Sequence, residues 1–139
     1  MELLSADELN EFLADAFDGV RPYLVADVAP PRCRVTMDAD AVALRPGGTV
    51  SGPTLMMLAD AAAYAVVLAH IGRVALAVTS NLTITFLRKA PPAGLVAEAE
   101  LLKLGRRLAV ADVRLRSAAR PELVAQATVT YAIPAASAS

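Results

Sequence analysis

From Thr54 to Ile71 the chain carries no glycine, no proline, no lysine or arginine, and a single acid, Asp60. Alanine, leucine, valine and methionine fill most of the rest. Such a segment reads as one long helix that is apolar on nearly all sides, and a helix of that kind must be surrounded. At about 18 residues it approaches membrane-spanning length. The carboxylate at mid-helix, the prevalence of alanine over leucine, and strand-patterned sequence downstream favour a core helix instead. Gly72 supplies the stop, Ser51 or Gly52 the N-cap region, and Pro53 sits in the first turn, where its missing N–H costs nothing.

What could surround the helix is written in the remaining sequence. After Gly72 the hydrophobic period changes to two. Residues 75–87 alternate, with Ser80, Leu82, Ile84 and Phe86 on one face and Thr79, Asn81, Thr83 and Thr85 on the other. Turns at 91–94, Gly105-Arg106 and 118–121 separate further strands at 95–104, 108–116 and 122–133. On the last of these, Leu123, Ala125, Ala127, Val129 and Tyr131 share a side. Short turns imply antiparallel neighbours. Upstream, Ser5 and Glu8 form a capping-box pattern for a short helix over 6–18, stopped by Gly19. Short strands are expected at 33–37 and 41–44, with a turn at 38–40. The expected fold is α+β: a curved antiparallel sheet wrapped around one central helix. A single domain, 1–139, is expected, with residues 1–22 as an N-terminal helical segment and 134–139 as a frayed tail.

Composition sharpens the picture. Hydrophobic residues make up 56% and aromatics only 4%, so the core must be built of small aliphatic side chains that let backbones approach closely. So apolar a chain is expected to cover part of its surface with a second copy. Thirteen bases against fourteen acids exclude a general nucleic-acid binder. The charges are unevenly placed: residues 1–40 hold nine acids and three bases, residues 73–116 eight bases and three acids. A basic region on a near-neutral protein suits a small anionic ligand. The lone Cys33 and an N-terminus without a basic, apolar leader pattern point to a reducing, cytoplasmic setting. With one histidine and one cysteine, a metal site is not expected.

Asp60 is the position that carries chemistry. No base on its own helix can pair with it, and burying an unpaired charge is expensive. Its partner must come from another element, or it must face a cleft, which makes it the first functional candidate. The rival reading is a solvated carboxylate on a partly exposed stripe. The loop 48–53 delivers a helix N-terminus, whose free N–H groups suit a developing oxyanion. Tyr64, one turn after Asp60, can donate to it or simply pack. His70 lies nearly three turns away and reads as a cap or interface residue.

Gly48-Thr49-Val50-Ser51-Gly52-Pro53 followed by Leu58-Ala59-Asp60-Ala61-Ala62 resembles the G-T-x-H-G-G…L-A-D-x-A signature of hotdog-fold acyl-CoA thioesterases. The branch it resembles is the phenylacetate-degradation (PaaI-like) type, relatives of 4-hydroxybenzoyl-CoA thioesterase. Residues 78–87 resemble that branch's following strand, and Gly105-Arg106-Arg107-Leu108-Ala109 its later G-[RK]-x-L-A turn. The resemblance runs from about Arg45 to Ile133, in order.

It implies a hotdog fold, a homodimer or homotetramer, and a thioester site between subunits. Asp60 takes the place of the catalytic carboxylate, as general base or nucleophile, and Gly52 that of the carbonyl-polarising N–H donor. Thr79 falls where the family carries a hydroxyl from the opposing subunit, with Asn81 expected on the same face. Arg88, Lys89, Arg106 and Arg107 are expected to meet the phosphates of coenzyme A, and Met57 and Tyr64 the substrate. No cofactor is implied beyond the CoA moiety of the substrate. Ser51 replaces the family's usual His, Pro53 its second Gly, and Arg45 a frequent Asn. Those departures keep two other readings open: a non-catalytic acyl-CoA-binding hotdog protein, and an enoyl-thioester hydratase or dehydratase.

Overall fold

The computed structural model describes residues 3–17 and 21–135. Ser5 opens α1 (Ala6–Ala16) with the reciprocal cap: Glu8 N donates to Ser5 Oγ and Ser5 N to Glu8 Oε1, both at 3.1 Å. Leu9 and Leu13, one turn apart, are the buried face. The helix ends at Ala16, two residues before the expected boundary, and Phe17 is already extended. Gly19 lies outside the described residues, as do the last four positions of the tail.

The next element was not foreseen. Leu24–Ala29 forms β1, an edge strand with only Val25 buried and a bulge between Val25 and Asp27. An edge strand broken by a bulge shows little period-two signal. Asn10 of α1 completes it: Nδ2 donates to Val25 O at 2.8 Å, and Val25 N donates to Oδ1 at 2.9 Å. β2 spans Arg32–Met37, one residue longer than expected.

The strand expected at 41–44 is absent. Residues Ala39–Ala41 make a 3-10 turn, and Leu44 forms an isolated bridge with Val50 in the loop ahead of the long helix. Arg45 N donates to Thr49 O, Ser51 N to Ala43 O, and Gly47 and Gly48 take positive φ of 100° and 84°. The local turn therefore consumes the backbone groups a sheet strand would have offered.

Helix α2 (Gly52–Ile71) begins two residues earlier than the apolar run suggested. Ser51 caps it, accepting from Thr54 N, and Gly72 closes it at φ 93° with its N–H on Leu68 O. Four longer strands follow: β3 (Val78–Phe86), β4 (Leu95–Leu104), β5 (Leu108–Ser117) and β6 (Leu123–Ala132). The sheet order is β1-β2-β4-β5-β6-β3, every pair antiparallel, and α2 lies across β2, β4 and β5. Small side chains make the close approach: Ala59, Ala62 and Ala63 of the helix and Ala97, Ala111 and Ala127 of the sheet are all at 0% exposure. The membrane-length helix is thus the buried core helix. This is the sheet-around-helix architecture of the hotdog fold.

The outer face of the sheet is polar. Arg116 pairs with Glu98, Arg32 with Glu100, and Arg114 with Asp112, which also accepts from Gln126. Two of the eight bases of residues 73–116, Arg114 and Arg116, are engaged there, in pairs that stabilise little.

Candidate active site

Asp60 sits midway along α2 on the side turned from the centre of the sheet. No arginine or lysine pairs with it among the described residues. Instead two hydroxyls from the sheet converge on one of its oxygens. Thr79 Oγ1 of β3 donates to Oδ1 at 2.6 Å, and Tyr131 OH of β6 donates to the same Oδ1 at 2.8 Å. The Tyr131 hydroxyl also lies 3.2 Å from the Asp60 carbonyl oxygen. Oδ2 receives no hydrogen bond from a described residue and is not sealed from solvent. Asp60 borders a hollow of about 310 Å³ walled also by Phe17, Tyr23, Met57, Tyr64, Thr79 and Tyr131.

A β-bulge makes this arrangement. From Phe86 back to Asn81, β3 pairs with β6 in constant register. The register then slips by one, so that Thr79, rather than Ser80, stands opposite Tyr131. Residues paired across an antiparallel ladder share a face, so Thr79 turns inward beside Leu82 while Asn81, opposite Thr130, faces outward and is exposed. The expected alternation failed at this point: Thr79 and Asn81 lie on opposite faces, because the extra residue inverts the pleat. Asn81 is removed from the hollow, and among the described residues its side chain bonds only with Thr83. Thr79, expected to serve a neighbouring subunit's site, donates to Asp60 of its own chain.

The aromatics are concentrated here. All three tyrosines of the chain and one of its three phenylalanines wall the hollow. Tyr64 stacks on Tyr131 with ring centroids 5.6 Å apart, and Phe17 meets Tyr64 edge-on at 6.1 Å. Tyr64 does not reach Asp60; its hydroxyl donates to Ala75 O at 3.0 Å and ties the helix to the segment ahead of β3. Burial, and then the neighbouring Asp60 charge, hold the Tyr131 phenol protonated well above its ordinary range. Burial likewise raises Tyr64 and Tyr23. The sequence pattern did not single out Tyr131, Phe17 or Tyr23. A signal existed for Tyr131: a phenol on a strand face otherwise of alanine, valine and leucine needs a polar partner.

The remaining candidates are dispersed. Ser51 Oγ is engaged as the cap and lies 2.7 Å from Thr54 Oγ1. Gly52 begins the helix, with the Phe86 ring 3.4 Å from where a Cβ would lie. Its N–H stands eight residues before Asp60, about 12 Å along the axis. Arg106 and Arg107, with Arg73, line a hollow of about 1000 Å³ that shares Ala75 with the one at Asp60. Arg88 and Lys89 lie at the far end of β3, where Arg88 donates to Leu123 O. His70 Nδ1 is 2.7 Å from Val66 O within its own helix, and Cys33 is buried against Ala62 O, its thiol pushed up to about 12.

A carboxylate fixed through one oxygen, open through the other, beside a hollow and free of cationic partners can take a proton from water or attack an electrophile. The family model of the thioesterase superfamily matches residues 47–124, from the capping loop into β6. The chain belongs to the thioesterase superfamily, and it is a thioester hydrolase. It is 43% identical to a protein of Silicibacter sp. TM1040 assigned as a thioesterase, with 96% of this chain and 95% of that one covered at a TM-score of 0.88. It is similar to the phenylacetic acid degradation protein PaaI of Thermus thermophilus, solved as a point mutant, at 28% identity over 81% of this chain and 93% of that one, TM-score 0.69. Zebra fish thioesterase superfamily member 2 shares the fold, at 22% identity over 94% and 99%, TM-score 0.80. A search of the curated proteins finds no match to the sequence.

Proposed function

We propose that the protein hydrolyses small-molecule acyl-CoA thioesters to free acid and coenzyme A, with Asp60 as the reacting carboxylate. The observation that carries this is Asp60 itself, a carboxylate on the core helix that borders a hollow, with one oxygen held by two hydroxyls and the other left without a donor among the described residues. In the general-base course, Oδ2 takes a proton from water while the water oxygen bonds to the thioester carbon. The carbonyl oxygen becomes an oxyanion. The C–S bond then breaks, and the leaving thiolate takes the proton back from Asp60. In the nucleophilic course Oδ2 bonds to the carbon, the C–S bond breaks and the CoA thiolate leaves; water then cleaves the mixed anhydride, regenerating the Asp60 carboxylate and the free acid, whose proton the thiolate takes. Aromatic walls around the hollow suit a compact or flat acyl group.

The oxyanion needs a donor, and the Gly52 N–H at the start of α2 is the one the helix dipole favours. Within one chain the separation of about 12 Å keeps a single carbonyl from meeting both Gly52 and Asp60. The site is therefore assembled from two copies, Asp60 of one and Gly52 of the other, in a cytoplasmic homodimer or homotetramer. Gly52 would bring the adjoining Phe86 and Arg88-Lys89 with it. Arg106 and Arg107, on the hollow that adjoins Asp60, would meet the CoA phosphates. The chemistry asks for no further cofactor.

The experiment is thiol release from short, long and aromatic acyl-CoAs, by the unaltered protein and by Asp60→Asn. Loss of at least about 100-fold in kcat is expected for Asp60→Asn. Full hydrolysis by that variant across the panel would overturn the assignment.

A further inference from the structure

We propose that Tyr131 is a positioning residue for hydrolysis: together with Thr79 it pins one oxygen of Asp60 and thereby aims the other into the hollow. This rests on the reading of Asp60 as the reacting carboxylate. Three elements supply the arrangement. α2 carries Asp60, β6 carries Tyr131, and the bulge in β3 brings Thr79 opposite Tyr131. Both hydroxyls point at Oδ1, at 2.6 and 2.8 Å, and neither donates to Oδ2.

Tyr131 is the better anchored of the two. It is 3% exposed, its ring is stacked on Tyr64, and its hydroxyl also approaches the Asp60 main-chain oxygen at 3.2 Å. The carboxylate is thus referenced to the backbone of its own helix. An aspartate left to itself rotates about its last torsion with little cost. Two donors on one oxygen remove that freedom before substrate arrives, which is the source of rate in a positioned catalytic group. They also withdraw electron density from Oδ1, leaving Oδ2 the more basic oxygen and the one that takes the proton. Because the phenol stays protonated through the working pH range, the donation persists. The other titratable side chains facing the carboxylate are Tyr64 of α2 and Tyr23 ahead of β1, both neutral over the same range; no lysine, arginine or histidine walls the hollow among the described residues.

The test is steady-state hydrolysis, with kcat and KM resolved separately, by Tyr131→Phe, Thr79→Val and the double variant, with Asp60→Asn alongside. Tyr131→Phe keeps the ring and its stacking and removes one oxygen. It is expected to lower kcat at least about 10-fold with KM for the acyl-CoA within about 2-fold. The double variant should lose less than the product of the single losses, because both hydroxyls serve the same oxygen. Should Tyr131→Phe prove too unstable to assay, Thr79→Val, on a half-exposed edge strand, must show the same kcat loss with KM held. Unchanged kcat in Tyr131→Phe, with Asp60→Asn inactive, would overturn the proposal and leave the thioesterase assignment standing. A loss confined to KM would overturn it in the same way. Full activity in Asp60→Asn would instead bring down the functional reading on which it rests.

Discussion

The two long sides of α2 are built to opposite rules. Toward β2, β4 and β5, Leu58, Ala59, Ala62, Ala63 and Val66 are sealed at 0% exposure against alanines and valines of the sheet. Away from those three strands, Met56 and Met57 remain at 42% and 41%, Asp60 is partly open, and the aromatics gather. The sealed side holds the fold by close packing of small side chains. The open side keeps a carboxylate, flexible methionines and a hollow, which a stable core would exclude. One helix therefore does both jobs, and the alanine-rich side is what lets the other side carry a charge: the stability the site forgoes is supplied a few ångströms away.

Several substitutions would break or sharpen that contrast. The largest effect should come from Asp60→Asn, which removes hydrolysis while leaving the thermal midpoint near that of the unaltered protein. Stability rather than rate should respond on the sealed side. Leu58→Ala, at 0% exposure, is expected to cost about 2–5 kcal/mol in denaturant unfolding. Ala62→Leu, by overpacking the helix–sheet contact, should cost about 1–3 kcal/mol. If either lowered kcat as much as Asp60→Asn without unfolding the chain, the division between the two sides would not hold. On the open side, Met57→Ala should change stability by less than about 1 kcal/mol while altering KM across an acyl-CoA series.

A pH dependence is expected from the sealed side, visible only in alkaline solution. Burial raises the Cys33 thiol from 9.0 to about 12, so between those values the unfolded chain loses its proton first. Stability should then decline as pH rises above about 9, and Cys33→Ala should flatten that slope. A thiol reagent at pH 8 should modify Cys33 only as the chain unfolds.

The long strands and the core helix were legible because each repeats its pattern over about ten residues or more. The N-terminal helix was legible from a cap whose two hydrogen bonds are local. Misreadings fell where a pattern is short or interrupted. β1 escaped because an edge strand with one buried residue has almost no period, and Ala41–Leu44 looked like a strand but spends its backbone on a local turn. At the site, Asp60 stood out as the single acid in an apolar rod. Tyr131, 71 residues away, did not, because nothing local links it to Asp60.

Composition and periodicity by themselves determined that an apolar helix must be enclosed by an antiparallel sheet, and that one acid on it needs an explanation. Only the tertiary structure decided which side of the helix that acid faces and which hydroxyls meet it. A bulge is the physical reason: one extra residue in β3 inverts the side chains beyond it, a choice set by cross-strand pairing with β6 and invisible to any alternation read along a single strand.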